Sequence, residues 1–322
     1  MTTPRKTIIG PPKNFWLHHT TRGFDLTHPS SPSSLDPGPA MTINTTTAPI
    51  AIAPAKSALV IIDMQNFFLS PSFGRKRGAG HTASDNLIAY AIPAARKAGI
   101  RVVWLNWGLT EDEVRDMPPA VQRAFGFSSV PEDQEFGKGE ENGTSVDKLG
   151  DENYQGGDVL LENGKNGAIY RGLGAPCGLV EDENGEEIDA GRLLMRDTWN
   201  AALYSPLDKW YEKGKQIASK PDVWIHKNRM SGMWGATTPF EEFLEKEGVR
   251  TLFFTGVNTD QCVGGTFTDA FSKGYDCVLL SDGCGTTSPE FAQQCFEFNA
   301  ANTYGFCTSC TEFAKGVGGI KE

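Results

Sequence analysis

The sequence predicts an α/β protein: a doubly wound parallel sheet of six strands in three α/β/α layers, carrying a surface insertion. Three observations support this. The runs at 58–63 (ALVIID), 101–107 (RVVWLNW) and 250–257 (RTLFFTGV) are almost wholly apolar, as strands covered on both faces are. Helical patterns separate most of the strand-like runs, the mark of parallel strands joined by crossovers. The runs number six, fewer than the eight units of a closed barrel.

In chain order, residues 1–55 carry Pro4, Pro11, Pro12, Pro29, Pro32, Pro37, Pro39, Pro49 and Pro54 among Ser/Thr clusters. This composition is expected to give an N-terminal arm unable to pack a core alone. Within it, 14–17 (NFWL) offers aromatic anchors that pin the arm to the body or to a second subunit. The domain proper is expected over 56–322. It opens with the strand at 58–63, polar turn chemistry, and a helix from Ser84 to Gly99, where glycine suits a helix C-terminus. The strand at 101–107 follows. Residues from about 131 to 195 are rich in Gly, Glu and Asn with only short apolar pieces, which reads as an insertion on the sheet domain, a lid or an interface element. Alternation then resumes with strand 222–227 (DVWIHK) and a helix opening at Thr237 or Thr238 with Pro239 in its first turn. Strand 250–257, a helix after Thr259, strand 275–282 (YDCVLLSD), a helix from Pro289 and strand 305–309 (GFCTS) complete the chain.

The 322 residues are 39% hydrophobic and 22% charged, the balance of a globular chain. A formal charge of −10 disfavours nucleic acid and anionic membranes as partners. The sequence has no bilayer-length apolar run and no secretory-type stretch at its start, so a cytoplasmic protein is expected. Seven irregularly spaced cysteines argue for reduced thiols.

In an open parallel sheet, ligands bind beyond the carboxyl ends of the strands. Three ionisable residues fall there: Asp63 closing ALVIID, Lys227 closing DVWIHK, and Cys262 shortly after RTLFFTGV. Cys262 opens a helix, where unpaired N–H groups and a nearby ammonium are expected to favour its thiolate. A carboxylate beside it accepts the thiol proton and returns it to a leaving amine.

The segments ALVIIDMQNFF, HKNRMSG and FFTGVNTDQCVGGTFTDAFSKGYDCVLLSDGCGT closely resemble the isochorismatase-like cysteine hydrolase superfamily. The resemblance runs from 57 to about 313, apart from the insertion. The family signature G-x-x-T-x-x-C stands here as Gly256 to Cys262. The resemblance implies strand order 3-2-1-4-5-6, a catalytic triad of Asp63, Lys227 and Cys262, and a non-proline cis peptide between Val257 and Asn258. It also implies an oxyanion hole from the amides of Asn258 and Cys262. The activity it implies is hydrolysis of a C–N bond in a small amide, ureido or carbamoyl compound through a thioester, with no cofactor.

Nicotinamidases of this superfamily carry an Asp-x-His metal motif where this chain has Asn106, Trp107 and Gly108, so no metal is expected. Two other readings compete: hydrolysis of isochorismate or another enol ether, and an inactive scaffold of the same fold. Family members are often dimers or tetramers, so a homo-oligomer is expected. Candidate substrate contacts are Gln65, Phe68, Trp107, Trp199, Met230 and Trp234, aromatic, thioether and amide side chains that could wall a pocket. The basic run Arg75, Lys76 and Arg77 reads as a solvated loop, with contact to an anionic substrate as the alternative. Cys277 and Cys295 read as core thiols, and the Cys307/Cys310 pair lacks the second pair or histidine that a zinc site needs.

Overall fold

The computed structural model describes residues 3–32, 39–135, 144–150, 171–182 and 184–319. Six parallel strands form the central sheet: β1 (Ser57–Ile62), β2 (Arg101–Trp107), β3 (Val223–Lys227), β4 (Thr251–Val257), β5 (Asp276–Gly285) and β6 (Phe306–Thr308). Their order is β3-β2-β1-β4-β5-β6, the doubly wound arrangement expected. β1 shows why these strands are apolar throughout. Ala58, Val60 and Ile62 enter one core while Leu59 and Ile61 enter the other, so the period-two alternation of a strand buries both faces.

One face is covered by α1 (Ala79–Asn86), which runs through a π-turn into α2 (Ile92–Ala98), together with α3 (Leu207–Gly214) and α7 (Cys310–Gly318). The opposite face holds α4 (Pro239–Glu247), α5 (Gly264–Ser272) and α6 (Glu290–Asn299). α1 opens five residues before Ser84, and Gly99 closes α2 in the left-handed conformation at φ +69°.

Residues 3–55 depart from the expected arm. Strands Lys6–Ile9, Trp16–His19, Gly23–Leu26, Met41–Ile43 and Ile50–Ile52 form a five-stranded sheet. Leu26, Met41, Ile43, Ile50 and Ile52 are fully buried in the core shared with α2 and α7. The prolines did not preclude this because each described one lies outside the strands, where its missing N–H costs no ladder bond. The 14–17 stretch does anchor to the body: Trp16 Nε1 donates to Asp276 Oδ1 at 2.7 Å, and its ring packs on Phe306.

The insertion is only partly superficial. Leu173, Cys177, Ala190, Leu193, Leu194 and Met195 are buried in the core with Trp107 and Leu109, so this part of the chain roofs the carboxyl end of the sheet. The remainder of the expected insertion, residues 136–143 and 151–170, lies outside the described residues. No helix among the described residues is long and apolar enough to cross a membrane.

Candidate active site

Asp63 follows β1 directly, with φ +54°, a left-handed conformation that few residues other than glycine adopt. That turn sends its carboxyl under the ends of β2 and β3. The backbone N–H of Trp107 donates to Oδ1 at 3.0 Å, and Lys227 Nζ sits 2.9 Å from Oδ2. The two ionised side chains are 0% and 2% exposed, so neither has water to solvate it and each depends on the other. Lys227 Nζ also donates to the Arg229 carbonyl at 3.1 Å and lies 4.1 Å from the centre of the Trp107 ring.

Cys262 sits in the π-turn Thr259–Val263 that joins β4 to α5. Gly256, at φ +113°, allows β4 to reach this turn: a Cβ there would lie 2.0 Å from the Ile62 carbonyl oxygen. The Val257–Asn258 peptide is cis, at the bond the resemblance indicated. The Cys262 thiol donates to Met230 Sδ at 3.2 Å and lies near enough to Asp63 for each group to act on the other's proton affinity. Sequence placed the three ionisable residues at three strand ends, and the structure brings them into one buried cluster.

The thiol's electrostatics differ from expectation. Burial pushes Cys262 up to about 12, with the Lys227 charge acting against it and the Asp63 charge adding to it. The helix terminus and lysine therefore do not make a resting thiolate, because desolvation outweighs them. Burial likewise raises the Asp63 carboxyl above its ordinary range, opposed chiefly by Lys227. The resting proton stays on sulfur, beside a carboxylate whose raised proton affinity suits it to take that proton.

A cavity of about 350 Å³ opens over Cys262. Its walls include Phe67, Phe68, Phe125, Met230, Asn258 and Gln261, with Arg75, Asp147 and Lys148 bringing charge. Of the six expected substrate contacts, Phe68 and Met230 are there. Gln65 is fully buried and instead clamps the structure, donating from Nε2 to the Trp107 and Ala201 carbonyls at 2.8 and 2.7 Å. Trp107 is fully buried beneath Lys227. Trp199 packs on Phe73 and lines a separate hollow beside Tyr211 and Trp224. Trp234 is 53% exposed, its indole N–H donating to Asn228 and its ring under Arg229. Residue type near a strand end does not specify which way a side chain points, and tertiary packing kept these four out of the cavity lining.

Arg75 belongs to the cavity wall rather than to a purely solvated loop, its Nε donating to the Phe67 carbonyl at 3.1 Å. Phe67, Phe125, Lys148 and Gln261 were not anticipated as wall residues. Gln261 adjoins the nucleophile in sequence and was within reach of motif reasoning, whereas Phe125 and Lys148 lie in segments without periodic signal. Cys277 is a core thiol as expected. Cys295 is exposed, because no residue of α6 is buried. Among the described residues, no group of three or more His, Cys, Asp or Glu is arranged to hold a metal ion.

Residues 168–309 match the isochorismatase domain. The chain is similar to the ureidoacrylate amidohydrolase RutB of Enterobacter sp. (strain 638), at 26% identity over 83% of this chain and 92% of that protein. Over 168–309 the chain is thus similar to the isochorismatase family. A cysteine hydrolase from Pseudomonas syringae pv. phaseolicola 1448A shares the fold of this chain, with a TM-score of 0.50 and 16% identity over 82% of this chain and 93% of that one. Nicotinamidase PncA from Bacillus subtilis aligns with a TM-score of 0.48 at 18% identity, over 79% of this chain and 99% of that one.

Proposed function

We propose that the protein is a cysteine-dependent amidohydrolase that cleaves a C–N bond of a small amide, ureido or carbamoyl compound. The observation that carries this reading is the buried contact of Lys227 with Asp63 beside Cys262, which lines the cavity. Asp63 takes the thiol proton as sulfur bonds to the substrate carbonyl carbon, and Lys227 balances the charge throughout. The N–H groups of Asn258 and Cys262 receive the oxyanion. Collapse breaks the C–N bond while Asp63 gives its proton to the departing nitrogen. Water then attacks the thioester, losing its proton to Asp63, and the acid leaves as sulfur recovers a proton.

The similarity to a ureidoacrylate amidohydrolase favours a ureide, and Arg75 and Lys148 on the cavity wall favour one with an anionic end. The protein acts in the cytoplasm as a dimer or tetramer, and light scattering that finds a monomer overturns the assembly.

The test is ammonia or amine release from a panel of small amides, ureides and carbamoyl compounds, comparing the intact protein with Cys262→Ala. Release confined to the intact protein establishes thiol-dependent hydrolysis. Turnover of an enol ether that survives Cys262→Ala would replace it with the vinyl-ether reading.

A further inference from the structure

Trp107 is joined to every member of the cluster. Its backbone N–H holds Asp63 Oδ1 at 3.0 Å, its ring carries the Lys227 ammonium 4.1 Å from its centre, and its carbonyl is fixed by Gln65 at 2.8 Å. These contacts leave one group unused. The indole N–H is buried in a fully enclosed residue and has no hydrogen-bond partner. A buried donor without an acceptor is rare, because it has given up water and received nothing in return.

The orphan is not turned into inert packing. The Trp107 side chain lies close enough to Cys262 to act on it as a donor, in the sense that favours the thiolate, without meeting the sulfur in a regular hydrogen bond. An ammonium on the ring face draws electron density from the indole and makes its N–H a stronger donor. In the resting site the sulfur holds its own proton and is a poor acceptor. Once that proton passes to Asp63, sulfur carries a full negative charge in a site without water.

We propose that the indole N–H of Trp107 is a catalytic donor, held without a partner at rest so that it hydrogen-bonds the Cys262 thiolate when Asp63 takes the thiol proton. No atom is transferred by Trp107. The S–H bond breaks, the proton goes to Asp63, the electron pair stays on sulfur, and the N–H turns from an unmet donor into a charge-assisted one. When sulfur attacks the carbonyl the charge moves to the substrate oxygen, and the N–H is released for the next cycle. The inference rests on the assignment of Cys262 as nucleophile but not on the identity of the substrate.

The test therefore reads the thiol directly. The rate constant for iodoacetamide alkylation of Cys262 is followed by mass mapping between pH 7 and 10, which separates it from the exposed Cys295. The intact protein is compared with Trp107→Phe and with β-(3-benzothienyl)alanine placed at 107. The second replacement keeps the bicyclic face under Lys227 and the backbone N–H to Asp63, and removes only the donor. Both variants are expected to alkylate Cys262 roughly 10- to 100-fold more slowly at a given pH, the range of one hydrogen bond to a charged group. On any amide substrate, kcat should fall by a similar factor with KM little changed. A benzothienyl variant that folds and alkylates at the rate of the intact protein overturns the proposal. Slower alkylation in a protein that hydrolyses no amide upholds the donor and refutes only the substrate class.

Discussion

Lys227 places its ammonium 2.9 Å from Asp63 Oδ2 with both side chains withdrawn from solvent. Removing one partner of such a pair strands the other charge. Lys227→Met should cost about 3–5 kcal/mol, the usual penalty for an uncompensated buried charge, and should abolish turnover. Chemical denaturation checks the first effect and the amide panel the second.

The raised Asp63 carboxyl fixes the sign of two pH dependences. As general base it must be ionised, so kcat/KM should rise with pH through its elevated folded value. Stability runs the other way. Folded Asp63 holds its proton more tightly than the unfolded chain does. That contribution is complete below the unfolded value near pH ~4 and is lost as pH rises through the folded value. Asp63→Asn should lower turnover by roughly 10²–10⁴-fold and remove this loss of stability. Parallel rate and melting profiles from pH 4 to 9 would reveal both, and coincident melting profiles would count against the raised carboxyl.

Arg75 lines the cavity from a loop between β1 and α1. Arg75→Ala should raise KM for carboxylate-bearing ureides by roughly 10–100-fold while leaving neutral amides within about threefold. Equal effects on both classes would mean that Arg75 shapes the wall rather than reading charge.

Gly256 lies opposite Ile62 in the β4–β1 ladder, with no room for a Cβ and a φ of +113°. Gly256→Ala should destabilise the protein by upward of about 3 kcal/mol, combining backbone strain with a clash against β1. The melting temperature measures it.

Asp276 ties the N-terminal sheet to the body. Trp16 Nε1 and Thr251 Oγ1 donate to it at 2.7 and 2.8 Å, and His28 Nε2 lies 2.7 Å away. Asp276→Ala leaves buried donors unmet, at a cost of about 2–4 kcal/mol. Residues 28–54 should then be cut faster by protease, and an unchanged cleavage rate would show that Met41, Ile43, Ile50 and Ile52 suffice to hold the sheet.

The sequence by itself determined the six apolar strands, the helices between them, and Asp63, Lys227 and Cys262 at strand ends, because these signals are local. An unbroken apolar run, a proline in a first turn and a glycine that no side chain can replace each act over a few residues. The tertiary structure alone decided three other things. It raised the Cys262 thiol to about 12, because desolvation depends on everything packed around the sulfur rather than on the turn that carries it. It chose Phe67, Phe125 and Arg75 over Trp199 and Trp234 as walls of the cavity, because ring direction is set by long-range contacts. And it folded described parts of the proline-rich first 55 residues into a sheet, because Leu26, Met41, Ile43, Ile50 and Ile52 bury their side chains in a core shared with β1, α2 and α7, elements that a local reading cannot bring beside them.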